Sequence, residues 1–465
     1  MRPASARLDA MTSHDLTSTE TRLNRRITGP LLFAFILGDV LGAGIYALVG
    51  VLAGDVGGVI WLPLLIALLL ALLTAGSYAE LVTKYPRAGG AAVYAERAFG
   101  SPLLAFLVGF SMLAAGVTSA AGLSLAFSGD YLGTFVDVST TLAAVLFLAA
   151  VAALNARGIR ESMGTNLVMT VIEVSGLVLV VVAVGIMVSD GRGDVGRVTE
   201  FPEGAAPLTA TLGAAIIAYY SFVGFETSAN IVEEVRDPSR IYPRALFGAL
   251  VVAGLAYVAV GMASAIALPP SELSESTGPL TTVVDATDLG IPDELFSAIA
   301  LVAVANGALL TMIMASRLTY GMAERGLLPP VLGAVLPRRR TPWVAILATT
   351  VVAMGLTLVG DLATLAETVV LLLLFVFIST NVAVLVLRRD VVDHDHFRVW
   401  SFVPVLGVIS CVVLLTQQRG MVWVFGAALL AVGVVLHLLA RLVGPSGDDS
   451  DEPEDSQDAQ DSESR

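Results

Sequence analysis

The chain has 465 residues, of which 56% are hydrophobic and only 14% charged, with mean hydropathy +0.83 and a formal net charge of −14. That balance excludes a soluble globular domain of this size. The acidic surplus gives no ground for a nucleic-acid partner.

In chain order, the first 26 residues are polar. They lack the apolar core of a cleavable signal peptide and are expected to form a cytoplasmic tail. Apolar runs long enough to cross a ~30 Å hydrocarbon core then recur. They predict about twelve membrane-spanning helices over 28–53, 57–83, 101–129, 138–156, 164–189, 207–233, 243–268, 294–323, 342–360, 362–387, 398–416 and 421–443. The fold class is thus an all-α integral membrane protein embedded in a lipid bilayer. The tail 444–465 is acidic and poor in hydrophobes. It is expected to be disordered, either as a solvated tail or as a regulatory one. The single cysteine, Cys411, falls in the eleventh run and excludes an internal disulfide or a cysteine metal cluster.

The basic residues orient the chain. With both termini cytoplasmic, only Arg192, Arg197 and Arg419 of the 26 Lys and Arg residues fall outside. The outer loop around 269–292 carries Glu272, Glu275, Asp285 and Asp288 and no basic residue. This is the asymmetry of the positive-inside rule, and it requires an even number of spans. The expected location is the cell membrane.

Catalytic motifs are missing from the sequence: there is no Ser-His-Asp arrangement, nucleotide-binding loop or HExxH. An enzyme or an ATP-driven pump is therefore not expected, and ion or substrate gradients would drive any transport. His394 and His396 have the spacing of a metal pair, but in a short solvated loop with no third ligand, so no metal or cofactor is expected. Glu80 and the Glu233-Glu234 pair are expected to partner Lys84, Arg87 and Arg236, in an intracellular gate or as structural pairs.

The most informative stretches are Gly42-Ala43-Gly44-Ile45 in the first run and Ser221-Phe222-Val223-Gly224-Phe225-Glu226 in the sixth. Glycines in the middle of a span free backbone groups that hydrocarbon cannot satisfy, so such breaks line a cavity or are covered by protein. A half-helix beginning after Gly42 would aim free N–H groups, with a positive dipole end behind them, at a carboxylate. A half-helix ending near Ser221 would offer carbonyl oxygens to an ammonium group. Together they describe an α-amino acid site. The alternative is that the glycines only permit close helix packing.

Further stretches carry a specific resemblance. They are Gly42-Ala43-Gly44-Ile45-Tyr46, Tyr85-Pro86-Arg87-Ala88-Gly89-Gly90, the run from Asn155 through Gly158 to Ser162, the run from Tyr220 through Glu226 to Pro238, and the run from Ser316-Arg317 to Pro329. In this order the chain resembles the amino acid–polyamine–organocation (APC) superfamily, nearest its bacterial cationic-amino-acid-transporter-like branch. The resemblance implies a LeuT-type fold, with inverted repeats over 27–189 and 207–390, two extra helices over 397–443, and broken helices 1 and 6. It implies secondary transport of amino acids or related amines by alternating access. By position, Ala43, Gly44 and Ile45 would hold the substrate carboxylate, and Tyr220, Ser221 and Val223 would line the ammonium side. Tyr220 falls where the family often keeps an aromatic gate.

One departure stands out. Many members have a lysine at the position of Glu173 in the fifth run. Here two acids, Glu173 and Asp39, lie at similar depth. Intramembrane carboxylates are functional suspects, so Na⁺ or H⁺ coupling is one expectation and structural pairing the other. Glu226 is expected either to gate or to cap the second half of the sixth run. The competing functions are an exchanger without ion coupling, and a channel or amino acid sensor on the same scaffold. No obligatory protein partner is inferred, since an animal-type heavy chain would require a cysteine in an outer loop. The breaks hold no cationic side chain, which disfavours acidic amino acids. Neutral and cationic ones both remain open.

Overall fold

Long apolar runs leave the backbone no solvent partner in hydrocarbon, so its N–H and C=O groups must pair within the segment, as a helix does. Serine, aspartate and proline set where the helices begin. Ser101 and Ser139 accept from the N–H groups of Leu104 and Leu142, each at 3.4 Å, and Asp361 accepts from Thr364 at 2.9 Å. The computed structural model describes residues 27–41, 44–86, 90–157, 163–336 and 341–443. The two predicted tails, Ala43 and the arginines 338–340 lie outside them.

The first half contains α1 (Gly29–Leu41), α2 (Gly44–Val56), α3 (Trp61–Lys84), α4 (Gly90–Phe99), α5 (Pro102–Phe127), α6 (Asp130–Gly133), α7 (Thr140–Ala156) and α8 (Met163–Ser189). There follow α9 (Pro207–Tyr220), a 3₁₀ helix (Phe225–Glu234), α10 (Pro238–Ala267), α11 (Pro270–Glu275), α12 (Pro279–Asp285), α13 (Asp293–Glu324), α14 (Trp343–Val359), α15 (Leu362–Leu387), α16 (Phe402–Thr416) and α17 (Gly420–Val443). Among the described residues, nine helices are long and apolar enough to cross a membrane, α1 and α2 counting together. Three shorter apolar helices, α7, α14 and α16, lie between them.

α1 packs on α8 and α10, while α5 packs on α13 and α15 across from it. The buried core runs through all of these. The outward faces of α7, α8, α14, α16 and α17 expose Leu146, Val171, Leu347, Ile409 and Val424, an apolar surface that hydrocarbon can cover.

The second predicted break coincides with a helix end; the first falls on Gly42 and Ala43, which lie outside the described residues, between Leu41 of α1 and Gly44 of α2. α9 stops at Tyr220, and the chain turns through Gly224 at φ 125. The second half of the sixth predicted run is a 3₁₀ helix rather than an α-helix. Its polar side chains explain this: Thr227 Oγ1 donates to Gly224 O at 2.8 Å and Ser228 Oγ to Phe225 O at 2.5 Å. Such local bonds compete with the α ladder and favour the tighter turn. A two-sided staple closes its end, with Ile27 N–H donating to Glu234 O at 2.9 Å and Arg236 N–H to Ile27 O at 3.0 Å.

The expected partnering of Glu80 is corrected. Arg388 forks onto it, with Nε 2.8 Å from Oε1 and Nη2 2.7 Å from Oε2. Lys84 instead donates to the carbonyls of Leu387 and Asp390, at 2.6 and 2.5 Å. The partner was hidden because it lies 308 residues away. Arg87 lies outside the described residues. Beside this clasp, the Tyr85 hydroxyl donates to the Asp390 carboxylate at 2.6 Å. That bond, aided by Arg97 at 3.0 Å and opposed by partial burial, holds the Asp390 carboxyl below the ordinary carboxylate range.

Candidate functional site

Residues beside the two predicted breaks touch. A Cβ added to Gly44 would lie 2.6 Å from Ser221 Cα and 3.0 Å from its Cβ and Oγ. A Cβ on Gly224 would lie 2.8 Å from Asp39 O. At these two positions only glycine lets the backbones approach. α10 holds them together, because the Tyr257 hydroxyl lies 2.5 Å from Val40 O and 3.0 Å from Ser221 O. Its one proton is shared between these carbonyls, which belong to α1 and to the turn after α9.

A cavity of about 350 Å³ opens at this meeting point. It runs from Gly44, Tyr220 and Ser221 down to Arg325 and Leu327 beyond the end of α13. Asp39, Val223 and Glu226 also line it. Ser221 Oγ is buried and has no hydrogen-bond partner among the described residues. A buried hydroxyl left so is costly unless a ligand or water completes it.

Each sequence-predicted residue can now be placed. Tyr220 lines the cavity, its hydroxyl 2.9 Å from Ser119 Oγ on α5. Thr227 Oγ1 also meets an Asp39 carboxylate oxygen, so its one proton is shared between that oxygen and Gly224 O. The Glu226 carboxylate accepts from Gly224 N–H at 3.0 Å, which makes it a local cap of the 3₁₀ helix as well as a wall of the cavity. Ile45 is buried in the core rather than on the cavity surface.

Glu173 is also off the cavity surface, fully buried on α8, which packs on α1, α10 and α13. Asn306 Nδ2 donates to its Oε1 at 3.1 Å and also reaches Asn166 Oδ1 at 3.4 Å. Its other oxygen, Oε2, has no hydrogen-bond partner among the described residues. The Tyr46 hydroxyl donates to the Glu173 carbonyl at 2.6 Å, and Tyr131 donates to the Tyr46 carbonyl at 2.7 Å. These bonds tie the α8 backbone at Glu173 to the start of α2 without involving the carboxylate.

Sequence reasoning missed Ser119, Tyr257 and Asn306. Each is an ordinary residue inside an apolar run, and only the packing of distant helices gives it a role. No described group of His, Cys, Asp and Glu is arranged to hold a metal ion.

A bundle of long apolar helices around a cavity fits a multi-pass membrane protein. Comparison with known proteins assigns the family. The chain belongs to the amino acid permease family, whose model matches residues 30–435, within the superfamily that the motifs indicated. Its relatives include the vacuolar cationic amino acid transporter 4 of Arabidopsis thaliana, 29% identical over 79% of this chain. The chain spans 64% of that relative's length. The branched-chain amino acid permease BcaP of Bacillus subtilis is 24% identical over 91% of this chain and 94% of its own. The low-affinity putrescine importer PlaP of Escherichia coli is 25% identical over 91% and 95%. The family and these relatives are transporters, not enzymes.

Proposed function

We propose that the chain is a secondary active transporter of amino acids or related amines in the cell membrane, with both termini cytoplasmic. In this reading twelve helices form a LeuT-type 5+5 fold, with the repeats at 27–189 and 207–390 and two extra helices at 397–443. Transport proceeds by alternating access. The observation that carries the reading is the close approach of Gly44 and Ser221, on the wall of one cavity.

The substrate carboxylate sits at the start of α2, on Ala43, Gly44 and Ile45. The backbone supplies this seat, so Ile45 contributes its N–H while its side chain stays in the core. The ammonium group sits against the end of α9, at Tyr220, Ser221 and Val223, where carbonyls end the helix and Ser221 Oγ lacks a partner. Tyr220 closes the upper end. Asp39, Glu173 and Glu226 serve gating or coupling, and the uncompleted Oε2 of Glu173 is the place for a coupling H⁺ or Na⁺.

The cavity reaches Arg325 and Leu327, so the form described here opens toward the side that the arginines mark as cytoplasmic. No protein partner is required by this reading.

Reconstitution into proteoliposomes tests it. Purified protein should accumulate a radiolabelled amino acid or amine against its gradient when a proton or sodium gradient is imposed. Binding without flux under every gradient would make it a sensor, and neither binding nor flux would remove the site.

A further inference from the structure

Part of the cavity wall belongs to a helix too short to span a membrane. α4 has ten residues, fewer than an isolated helix needs to hold its shape in water. Its first turn reaches the cavity. Ala92 lines it, and a Cβ on Gly109 of α5 would lie 3.4 Å from the Ala92 Cβ. A Cβ on Gly90 would lie 3.1 Å from Oδ1 of Asn230, another lining residue, on the 3₁₀ helix. Packing alone seats α4 weakly. It buries the side chains of Ala91, Tyr94 and Ala95, of which only the ring offers much apolar area. The Tyr94 hydroxyl is buried with no hydrogen-bond partner among the described residues, which opposes the gain from its ring.

The other end of α4 is fixed by the segment that follows α15. The backbone of this segment is fastened to α3 by buried bonds. Arg388 forks onto Glu80, their side chains 11% and 2% exposed, and Lys84 donates to the carbonyls of Leu387 and Asp390. Asp390 then turns its carboxylate to α4. One oxygen, Oδ2, takes Arg97 of α4 through Nε at 3.1 Å and Nη2 at 3.0 Å, and the Tyr85 hydroxyl at 2.6 Å. The Arg97 guanidinium also lies 4.2 Å from the centre of the Tyr85 ring. Unlike the Glu80 clasp this knot is wet, with the Arg97 and Asp390 side chains 46% and 35% exposed. Charges that part into water lose little, whereas parting the buried pair strands a charge. The Glu80 clasp is therefore built to stay, and the Asp390 knot can be made and broken.

We propose that Asp390 is a positioning residue for transport: it latches α4 in the form whose cavity opens toward the cytoplasm, and the latch is released when the cavity opens outward. This rests on the orientation and the cytoplasmic opening proposed above. The direction of the effect follows from linkage. A contact made in one form and absent from another stabilises the first, so its removal shifts the population toward the second. Asp390 does not line the cavity, so it acts through α4.

Cysteine accessibility in membrane vesicles tests this. The chain's one native cysteine, Cys411, is buried, which keeps the background low. Thr311→Cys places a thiol on the cavity wall, midway along α13. Its rate of labelling by a membrane-impermeant maleimide is measured from each face, in right-side-out and inside-out vesicles. The ratio of outer to cytoplasmic labelling should rise at least about threefold when Asp390→Asn is added, a shift within reach of an exposed ion pair. Arg97→Gln breaks the same contact from the α4 side and should raise the ratio equally, also where Asp390→Asn does not fold. The two changes together should do no more than either alone. A purely structural loss removes labelled protein from both kinds of vesicle and leaves the ratio unmoved. An unchanged or lower ratio, in protein that labels from the cytoplasmic face, overturns the latch and leaves the proposed opening in place. If Thr311→Cys alone does not label from the cytoplasmic face, the opening falls and the latch with it.

Discussion

Replacing Gly44 with alanine isolates the contact on which the site depends. The added Cβ would lie 2.6 Å from Ser221 Cα, about 0.8 Å inside the 3.4 Å where ordinary contact begins. The neighbour is backbone, so it cannot swing aside as a side chain would, and the two interruptions must part. Overpacking of this kind costs about 1–3 kcal/mol. If the cost falls on the substrate-bound form, affinity drops by about 5- to 150-fold. Gly44 opens α2, where alanine favours the helix by up to about 1 kcal/mol, so the melting temperature should change far less than binding. Gly122→Ala is the matched control. Its Cβ meets Leu362 and Leu365 at 3.6 Å and the Tyr220 hydroxyl at 3.9 Å, all ordinary distances. Binding by thermal shift and uptake into proteoliposomes should be measured for both variants in one preparation. A folded Gly44→Ala protein that transports like Gly122→Ala and wild type would refute the meeting of the breaks as the substrate seat. Gly44→Val should abolish uptake while membrane insertion persists.

Three further outcomes follow from contacts around the site. Ser119→Ala and Tyr220→Phe each remove the same hydrogen bond, worth about 1 kcal/mol, so each should weaken affinity by about fivefold; the double variant should lose no more than either alone, whereas additive losses in this cycle would mean that Ser119 does not position the Tyr220 ring. Arg388→Ala strands Glu80, whose side chain is 2% exposed; loss of such a buried partner costs about 3–5 kcal/mol, and thermal unfolding in detergent should show it, a cost under about 1 kcal/mol being the contrary result. Asp390 has a depressed folded carboxyl, so its stabilisation is present above the ordinary carboxylate range and is lost as pH falls through the lower folded value; between about pH 5 and about pH 3 the wild type should lose more thermal stability than Asp390→Asn, and parallel curves would deny the coupling.

Much of the fold was legible because the bilayer simplifies it: a long apolar run has few alternatives to a helix. The break at Ser221–Gly224 was legible for the same reason, since glycine inside such a run needs a special explanation; the one at Gly42–Ile45 falls partly outside the described residues. Local patterning also indicated that Glu226 could cap the helix after the second break. What stayed hidden depends on long-range packing. Nothing near Glu80 names Arg388, and nothing near Glu173 names Asn306, because each pair is joined by helices distant in the chain. The 3₁₀ course of Phe225–Glu234 was masked by apolar residues that fit either helix, while Thr227 and Ser228 decided between them through their own backbone. Tyr257 gave no signal either, since a tyrosine in an apolar run looks the same whether it faces core, lipid or two freed carbonyls.

Glu173 separates the coupling modes. Its buried carboxylate has one oxygen engaged by Asn306 at 3.1 Å and one without a hydrogen bond among the described residues. A buried acid so placed must be completed by a proton, a cation or compensation from its surroundings. Glu173→Gln keeps the shape and keeps an oxygen for Asn306, but carries no transferable proton and no charge. If H⁺ is the coupling ion, the variant should bind substrate, lose pH dependence of transport and fail to concentrate substrate. If Na⁺ is, wild-type transport should require sodium, and the variant should lose that requirement together with accumulation. If the acid is only structural, the neutral amide removes a buried ionisable group at no cost in shape. The variant should then be at least as stable as wild type and transport normally. Counterflow exchange measured alongside net uptake distinguishes a coupling defect from a general one, since exchange needs the substrate cycle but no driving ion. A Glu173→Gln protein that exchanges and concentrates substrate like wild type, with the same response to pH and to Na⁺, would remove Glu173 from the mechanism and leave Asp39 and Glu226 as the remaining intramembrane acids on the cavity wall.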